Sequence, residues 1–268
     1  MTKTERLDKL ARDGEERLLL ARAMDKMDLA QRKNIPASTG FLSPSERVSV
    51  ENLIAASGHP AHLFFGGYEG AERTICVFLP DWQEPEEFQA LAMAGEGPVA
   101  ALRCTYNADA GLTHRDFLGA ILGRGIDREK VGDLLVGADS CDLLVLEELA
   151  GYLLMDLDSA GRARLRTKRL PLDQLQPPEV KVRQIRDTVA TPRLDAVAAA
   201  AFSTSRSKAA DLISAGRVQL NYRDCLKADR LVEEGDVLSC RGLGKAVVKS
   251  LGGQSKKGRT MLEIERYL

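Results

Sequence analysis

Histidines and closely spaced cysteines are scarce in this 268-residue chain, and each shortage closes off a class of function. There are three histidines. His59 and His62 stand three apart, but Pro60 breaks the helix that would align them and no third ligand is near, so no metal site is expected. The cysteines Cys76, Cys104, Cys141, Cys225 and Cys240 are odd in number and far apart, with no CxxC pair. That argues against a disulfide framework or a zinc site and for small buried thiols. No run of about 18 apolar residues occurs, so neither a membrane-spanning helix nor a membrane partner is expected. The opening MTKTERLDKLARDGEERLLL is charged throughout and lacks an apolar signal core, so the expectation is a cytoplasmic protein.

Apolar residues make up 44% of the chain and charged residues 29%, an ordinary globular balance over a length that suits about two domains. The net charge of −1 hides an asymmetry. Residues 180–268 carry 17 Lys and Arg against 10 Asp and Glu, a net +7, whereas residues 1–179 carry 21 against 29, a net −8. A basic end on an acidic body points to a polyanion as the partner of the C-terminal part.

Apolar spacing predicts one long helix over 4–31, with Gly14 as its weak point. The loop QRKNIPASTGFLSP follows. Ser43, Pro44 and Glu46 form a capping box that starts a helix ending at Gly58. From residue 62 the pattern changes. HLFFG and RTICVFLP read as strands around the turn GGYEGAE. A helix EPEEFQALAMA, a strand PVAALRCTY and a Thr113-capped helix HRDFLGAILGR come next. Strands VGDLLVG and CDLLVLE, a helix ELAGYLLMDL and a strand RARLRTKRL complete the series. Interleaving without a long parallel repeat predicts an α+β sandwich rather than a doubly wound sheet. PLDQLQPPEV (171–180) reads as a semi-stiff linker.

Beyond it, RLDAVAAAAF forms a short helix. A second, capped by Ser205, runs to Ala215 and closes at Gly216; RVQLN and VLSCRG are strands around the turn EEGD. The second helix holds Arg206 and Lys208 in its first turn, where the dipole disfavours cations. A phosphate docked on the free N–H groups there would turn that repulsion into attraction, and Arg206 can pair with phosphate oxygens. Arg193, Arg217, Lys227, Arg241, Lys245 and Lys249 add to the basic lattice.

Arg193-Leu194-Asp195, then S-R-S-x-A-x-x-x-I-x-x-G-x-V-x-x-N from Ser205 to Asn221, resembles the S4-type RNA-binding domain over about residues 190–250. The resemblance implies a small α-L fold that presents a basic face to structured RNA. The family's basic positions fall on Arg193, Arg206, Lys208 and Arg217, with Ser205 and Ser207 flanking Arg206. Asn221 matches the residue that starts the turn after the strand, and Tyr222 stands where a glycine is common. T-G-F-L-S-P-S-E (39–46) and L-T-H-R-D-F-L-G-A-I-L-G-R-G-I-D-R-E-K-V-G-D (112–133), taken with that segment, resemble the YlmH family over nearly the whole chain. This implies an N-terminal helical region (1–60), a central ferredoxin-like RNA-binding domain (61–170) and a C-terminal S4-type domain (180–268). It also implies ribosome association through large-subunit rRNA and tRNA, in quality control of large subunits obstructed by peptidyl-tRNA, and a gene neighbourhood of cell division.

Three further constellations bear on function. Gly252-Gly253-Gln254 matches the tripeptide of peptide release factors, but the flanking strands place it at a hairpin tip whose Lys256, Lys257 and Arg259 more simply grip phosphates. His114-Arg115-Asp116 mimics a kinase catalytic loop, yet Ile121 stands where asparagine is required; a helix start is the better reading, with His114 and Arg115 as additional RNA contacts. Arg32 and Lys33, on the loop before Ile35, are further candidates. No nucleophile–base pair, cofactor motif or small-molecule site stands out. The expectation is a non-enzymatic RNA-binding protein without cofactor, metal or catalytic residues. The alternatives are an RNA-modifying or peptidyl-tRNA-hydrolysing enzyme targeted by the S4-type domain, or a protein adaptor linked to cell division.

Overall fold

A computed structural model describes residues 2–177, 181–254 and 258–267. The chain divides into two compact units, residues 1–178 and 179–268.

The first unit opens with α1 (Lys3–Leu10) and α2 (Gly14–Lys33). The single helix expected over 4–31 is therefore two. Ala11 leaves the helical region with ψ 140°, and the chain restarts behind Asp13, whose carboxylate accepts the Glu16 amide at 2.8 Å. Gly14 falls at the first helical position, where its low propensity costs least. Arg12 folds back onto Glu16 at 2.9 Å and Ser49 also donates to that carboxylate. Burial alone would raise the Glu16 carboxyl, but these hydrogen bonds outweigh it and hold it at about 2.

After β1 (Ala37–Ser38) comes α3 (Pro44–Ala56), started by the expected capping box: Glu46 accepts the Ser43 amide at 2.6 Å and Ser43 Oγ accepts the Glu46 amide at 3.4 Å. β2 (His62–Phe65) and β3 (Ile75–Phe78) join β1 in an antiparallel sheet of order β1-β3-β2, so strand pairing crosses residue 60. α4 (Pro85–Leu91) follows. Then β4 (Val99–Thr105), α5 (His114–Leu122), β5 (Val131–Val136), β6 (Ser140–Leu146) and α6 (Glu147–Asp156) lead to a small hairpin, β7 (Ser159–Ala160) with β8 (Ala163–Arg164), and to β9 (Arg166–Leu170).

The four-stranded antiparallel sheet has the order β5-β6-β4-β9, the ferredoxin-like βαββαβ arrangement. On one face, Leu102, Cys104, Leu143 and Val145 meet Phe117, Ile121, Ala150 and Leu153 of the two helices. On the other, Ala101, Leu144 and Leu170 form a second core with Phe41, Phe65, Ile75 and Val77. Leu172 is buried and Leu175 packs on that core, so the start of the expected linker belongs to the first unit.

The sequence motifs of this unit are largely structural. A Cβ at Gly40 would come within 2.7 Å of the Glu129 carbonyl, the same oxygen that accepts the Phe41 amide at 2.6 Å. Asp133 accepts the Tyr68 hydroxyl (2.8 Å) and the amides of Glu72 (2.8 Å) and Arg73 (3.1 Å), tying down the turn between β2 and β3.

The second unit contains β10 (Val182–Val189), α7 (Leu194–Ala201), α8 (Arg206–Ser214), β11 (Val218–Leu220), β12 (Arg223–Asp224), β13 (Val237–Cys240), β14 (Gly244–Gln254) and β15 (Thr260–Tyr267). Its sheet order is β10-β15-β14-β13-β11-β12. α7 and α8 pack on it through Val197, Ala198, Ala201, Ala209 and Ile213. Gly216 closes α8 with φ 67°. β10 is an element the sequence pattern did not announce. Asn221 and Tyr222 make the two-residue turn between β11 and β12, with φ of 51° and 60°. All five cysteines are free and four are buried. Among the described residues no helix is long and apolar enough to cross a membrane.

Candidate nucleic-acid interface

Asp195 organises the basic end of the second unit. It lies in the first turn of α7 and is 5% exposed. The Arg193 guanidinium reaches its two oxygens at 3.3 Å each, and that of Arg206 reaches them at 3.0 and 3.3 Å. Burial would raise this carboxyl, but the hydrogen bonds from Arg206 and Arg193 outweigh it and hold it below the usual range. One buried anion therefore fixes two part-exposed cations and leaves the cluster net positive.

Arg193 and Arg206 also line a cleft of about 430 Å³ over the small face of α7, at Ala196, Ala199 and Ala200, and Arg259 borders it from the start of β15. Arg259 is held there by hydrogen bonds to the hydroxyl and carbonyl of Thr188. The structure thus joins a residue expected at a hairpin tip to the α7–α8 arginines.

Ser205 caps α8, its hydroxyl accepting the Lys208 amide at 3.2 Å. Ser207 and Lys208 are exposed in the first turn. Arg217 and Arg241 are neighbours: the Arg217 guanidinium donates to the Arg241 carbonyl at 2.9 Å, and the Arg241 amide to the Arg217 carbonyl at 3.0 Å. Lys227 is exposed in the segment leading to Ala228, whose carbonyl accepts the Asp195 amide at 3.0 Å.

Three expected contacts are engaged within the fold. Lys249 pairs with Glu265 at 3.5 Å. Lys245 sits 4.6 Å from the centroid of the Tyr267 ring. The Asn221 amide donates to Asp236 at 2.7 Å and accepts from Val237 at 2.9 Å, which fixes the turn. Lys256 and Lys257 lie outside the described residues. Gln254 stands opposite Thr260 in the β14–β15 ladder.

In the first unit, Arg32 and Lys33 are not on a loop: they form the last turn of α2, where cations complement the helix dipole. His114 and Arg115 are exposed at the start of α5, behind Thr113, whose amide and hydroxyl donate to Asp116 at 2.8 and 2.6 Å. Among the described residues no group of three metal-ligating side chains occurs. Reasoning from sequence missed Asp195. An acid in the first turn of a helix is ordinary in sequence, since the dipole favours it; what sets Asp195 apart is its burial, which demands partners.

Comparison with known proteins agrees with this architecture. Residues 102–174 match the family model described as "Putative RNA-binding domain in YlmH", and residues 192–238 match the S4 domain. "Ribosome-associated protein quality control protein P2" of Bacillus subtilis (strain 168) is 31% identical over 254 residues, 94% of this chain and 95% of the relative. The solved structure "Cell division protein ylmH from Streptococcus pneumoniae" is similar over 62% of this chain and 98% of that one, with a TM-score of 0.51 and 19% identity, a likeness of fold. A ferredoxin-like domain followed by an S4 domain with arginines gathered at its helix starts defines an RNA-binding protein. With a relative matched along almost its full length, the chain belongs to the YlmH family.

Proposed function

We propose that this protein associates with the ribosome, binding large-subunit rRNA and an adjacent tRNA, and acts in quality control of stalled large subunits without enzymatic chemistry of its own. The observation that carries this reading is the Arg193–Asp195–Arg206 cluster beside Arg259, a preorganised cationic cleft of a kind suited to phosphate. Lys208, Arg217 and Arg241 are further exposed cations of the same unit. The name of the Bacillus subtilis relative supports the ribosome as the partner. Gln254, paired within a strand ladder, gives no support to a hydrolytic role.

Cosedimentation of the full chain with large ribosomal subunits tests the reading. Lys208→Glu, Arg217→Glu and Arg241→Glu together abolish association while the unfolding midpoint stays near that of the parent. Affinity falls with log salt by about 0.7–0.9 per phosphate neutralised. Undiminished cosedimentation of the triple variant overturns it.

A further inference from the structure

We infer that the ferredoxin-like domain carries a second RNA-backbone site, a row of cations along its β8–β9 edge: Arg162, Arg164, Arg166 and Lys168. The inference rests on the RNA-binding reading above and gives it a second surface.

The row begins as an anomaly of charge. The first unit is acidic overall, yet residues 159–172 hold five cations and no acid. Of these, Arg169 pairs with Glu147. The four others occupy alternate positions and are exposed. The residues between them face inward: Leu165 is 8% exposed and belongs to the helix-side core, and Thr167 donates to the Leu157 carbonyl at 2.8 Å. Between Arg164, Arg166 and Lys168, alternation along the strands sets outward side chains about 6–7 Å apart, comparable with the step between successive phosphates of one nucleic-acid strand; Arg162 stands in the turn before β8.

Two features make the row a surface. β9 is an edge strand of the sheet, so nothing in that sheet covers its outer side. The turn before β8 lies against the start of α5: a Cβ at Gly161 would sit 3.2 Å from Asp116 Oδ1. The exposed His114 and Arg115 therefore continue the row at one end.

The chemistry selects backbone rather than bases. On the sheet face shared by Arg166 and Lys168, the cross-strand positions are Thr105 and Arg103, then Ser140 and Asp142. None is aromatic, so there is no stacking platform for an unpaired base. Arg103 is clamped by Asp142 at 2.6 Å through both Nε and a terminal nitrogen, which leaves the free charge to the edge. Asp109 shares a hollow with Arg162 and Arg164, and Asp116, beside Gly161, is already engaged by the amide and hydroxyl of Thr113. The occupant is the phosphate backbone of structured RNA, read without sequence.

The test uses the full chain and deproteinised large-subunit rRNA, with Kd measured across a salt series. Arg164→Gln, Arg166→Gln and Lys168→Gln together lower the salt slope by about 2–3 and raise Kd roughly tenfold or more. Arg164→Lys with Arg166→Lys keeps both near the parent values. A slope and Kd unchanged in the glutamine variant, while Lys208→Glu, Arg217→Glu and Arg241→Glu destroy binding, overturn the row and leave the RNA reading intact. The cations would then only guard the edge against strand addition. If neither variant weakens binding, the RNA reading fails and the row with it. If the lysine variant loses binding as fully as the glutamine one, charge is not the cause and the inference fails.

Discussion

The Arg206 guanidinium, at the head of α8, donates to the carboxylate of Asp195, at the head of α7, at 3.0 and 3.3 Å. This contact joins the helix starts that carry the basic residues. It also sets the strength of a mutational test. Arg206→Glu would place a second carboxylate beside a buried one and destabilise the fold, so loss of RNA binding in that variant would be ambiguous. Asp195→Asn leaves two guanidiniums facing each other with a neutral partner. It should cost about 1–3 kcal/mol of stability, read as a lower denaturant midpoint.

Acid should loosen the N-terminal helices. The folded-state carboxyl of Glu16 lies at about 2 against an ordinary 4.5, so protonation favours the unfolded chain. Its contribution is complete above about pH 4.5 and is lost as pH falls toward 2. Urea midpoints measured between those values should fall for the parent and change less for Glu16→Gln.

Two glycines should respond oppositely to alanine. At Gly40 the new Cβ would meet the Glu129 carbonyl at 2.7 Å, and backbone cannot move aside cheaply, so a loss of about 1–3 kcal/mol is expected. At Gly14 nothing lies within 4 Å, and alanine should stabilise by about 0.4–1 kcal/mol. Thermal unfolding of both variants checks the contrast.

Asp133→Ala should free the turn between β2 and β3, since three donors lose their acceptor. A cost of about 1–3 kcal/mol and faster proteolytic cutting within 66–74 are expected. Burial, and next the hydrogen bond to Asp133, push the Tyr68 phenol up. Spectrophotometric titration of Asp133→Asn should therefore show that tyrosine ionising at lower pH than in the parent.

Much of the local structure was legible because its causes are local. The Ser43 and Ser205 caps, the Thr113 start and the Gly216 stop each depend on side chains within a few residues of the backbone groups they serve. The α1–α2 break was not legible. An unbroken apolar stripe favoured one helix and masked a local signal, the Asp13 cap with the Arg12–Glu16 contact, to which Ser49 of α3 adds a donor only in the folded chain. β10 was missed because Ile185 and Val189 are its inward apolar residues, and what makes it a strand is its ladder with β15 some 80 residues on, from Val182↔Tyr267 to Val189↔Thr260.

By itself the sequence determined the kind of protein this is: most of its helix and strand segments, the segregation of charge, and the spacing of the S-R-S helix start. Those follow from periodicity, capping and composition, which act over short distances. Only the tertiary structure decided which cations act together. Arg259 reaches Arg193 and Arg206 because β15 runs antiparallel to β10 and brings Arg259 to Thr188. Lys249 and Lys245 are drawn into contacts with β15, and Asp195 is buried between two arginines 13 residues apart. Coulomb energy depends on distance in space and on burial, and neither is written in the linear order of residues.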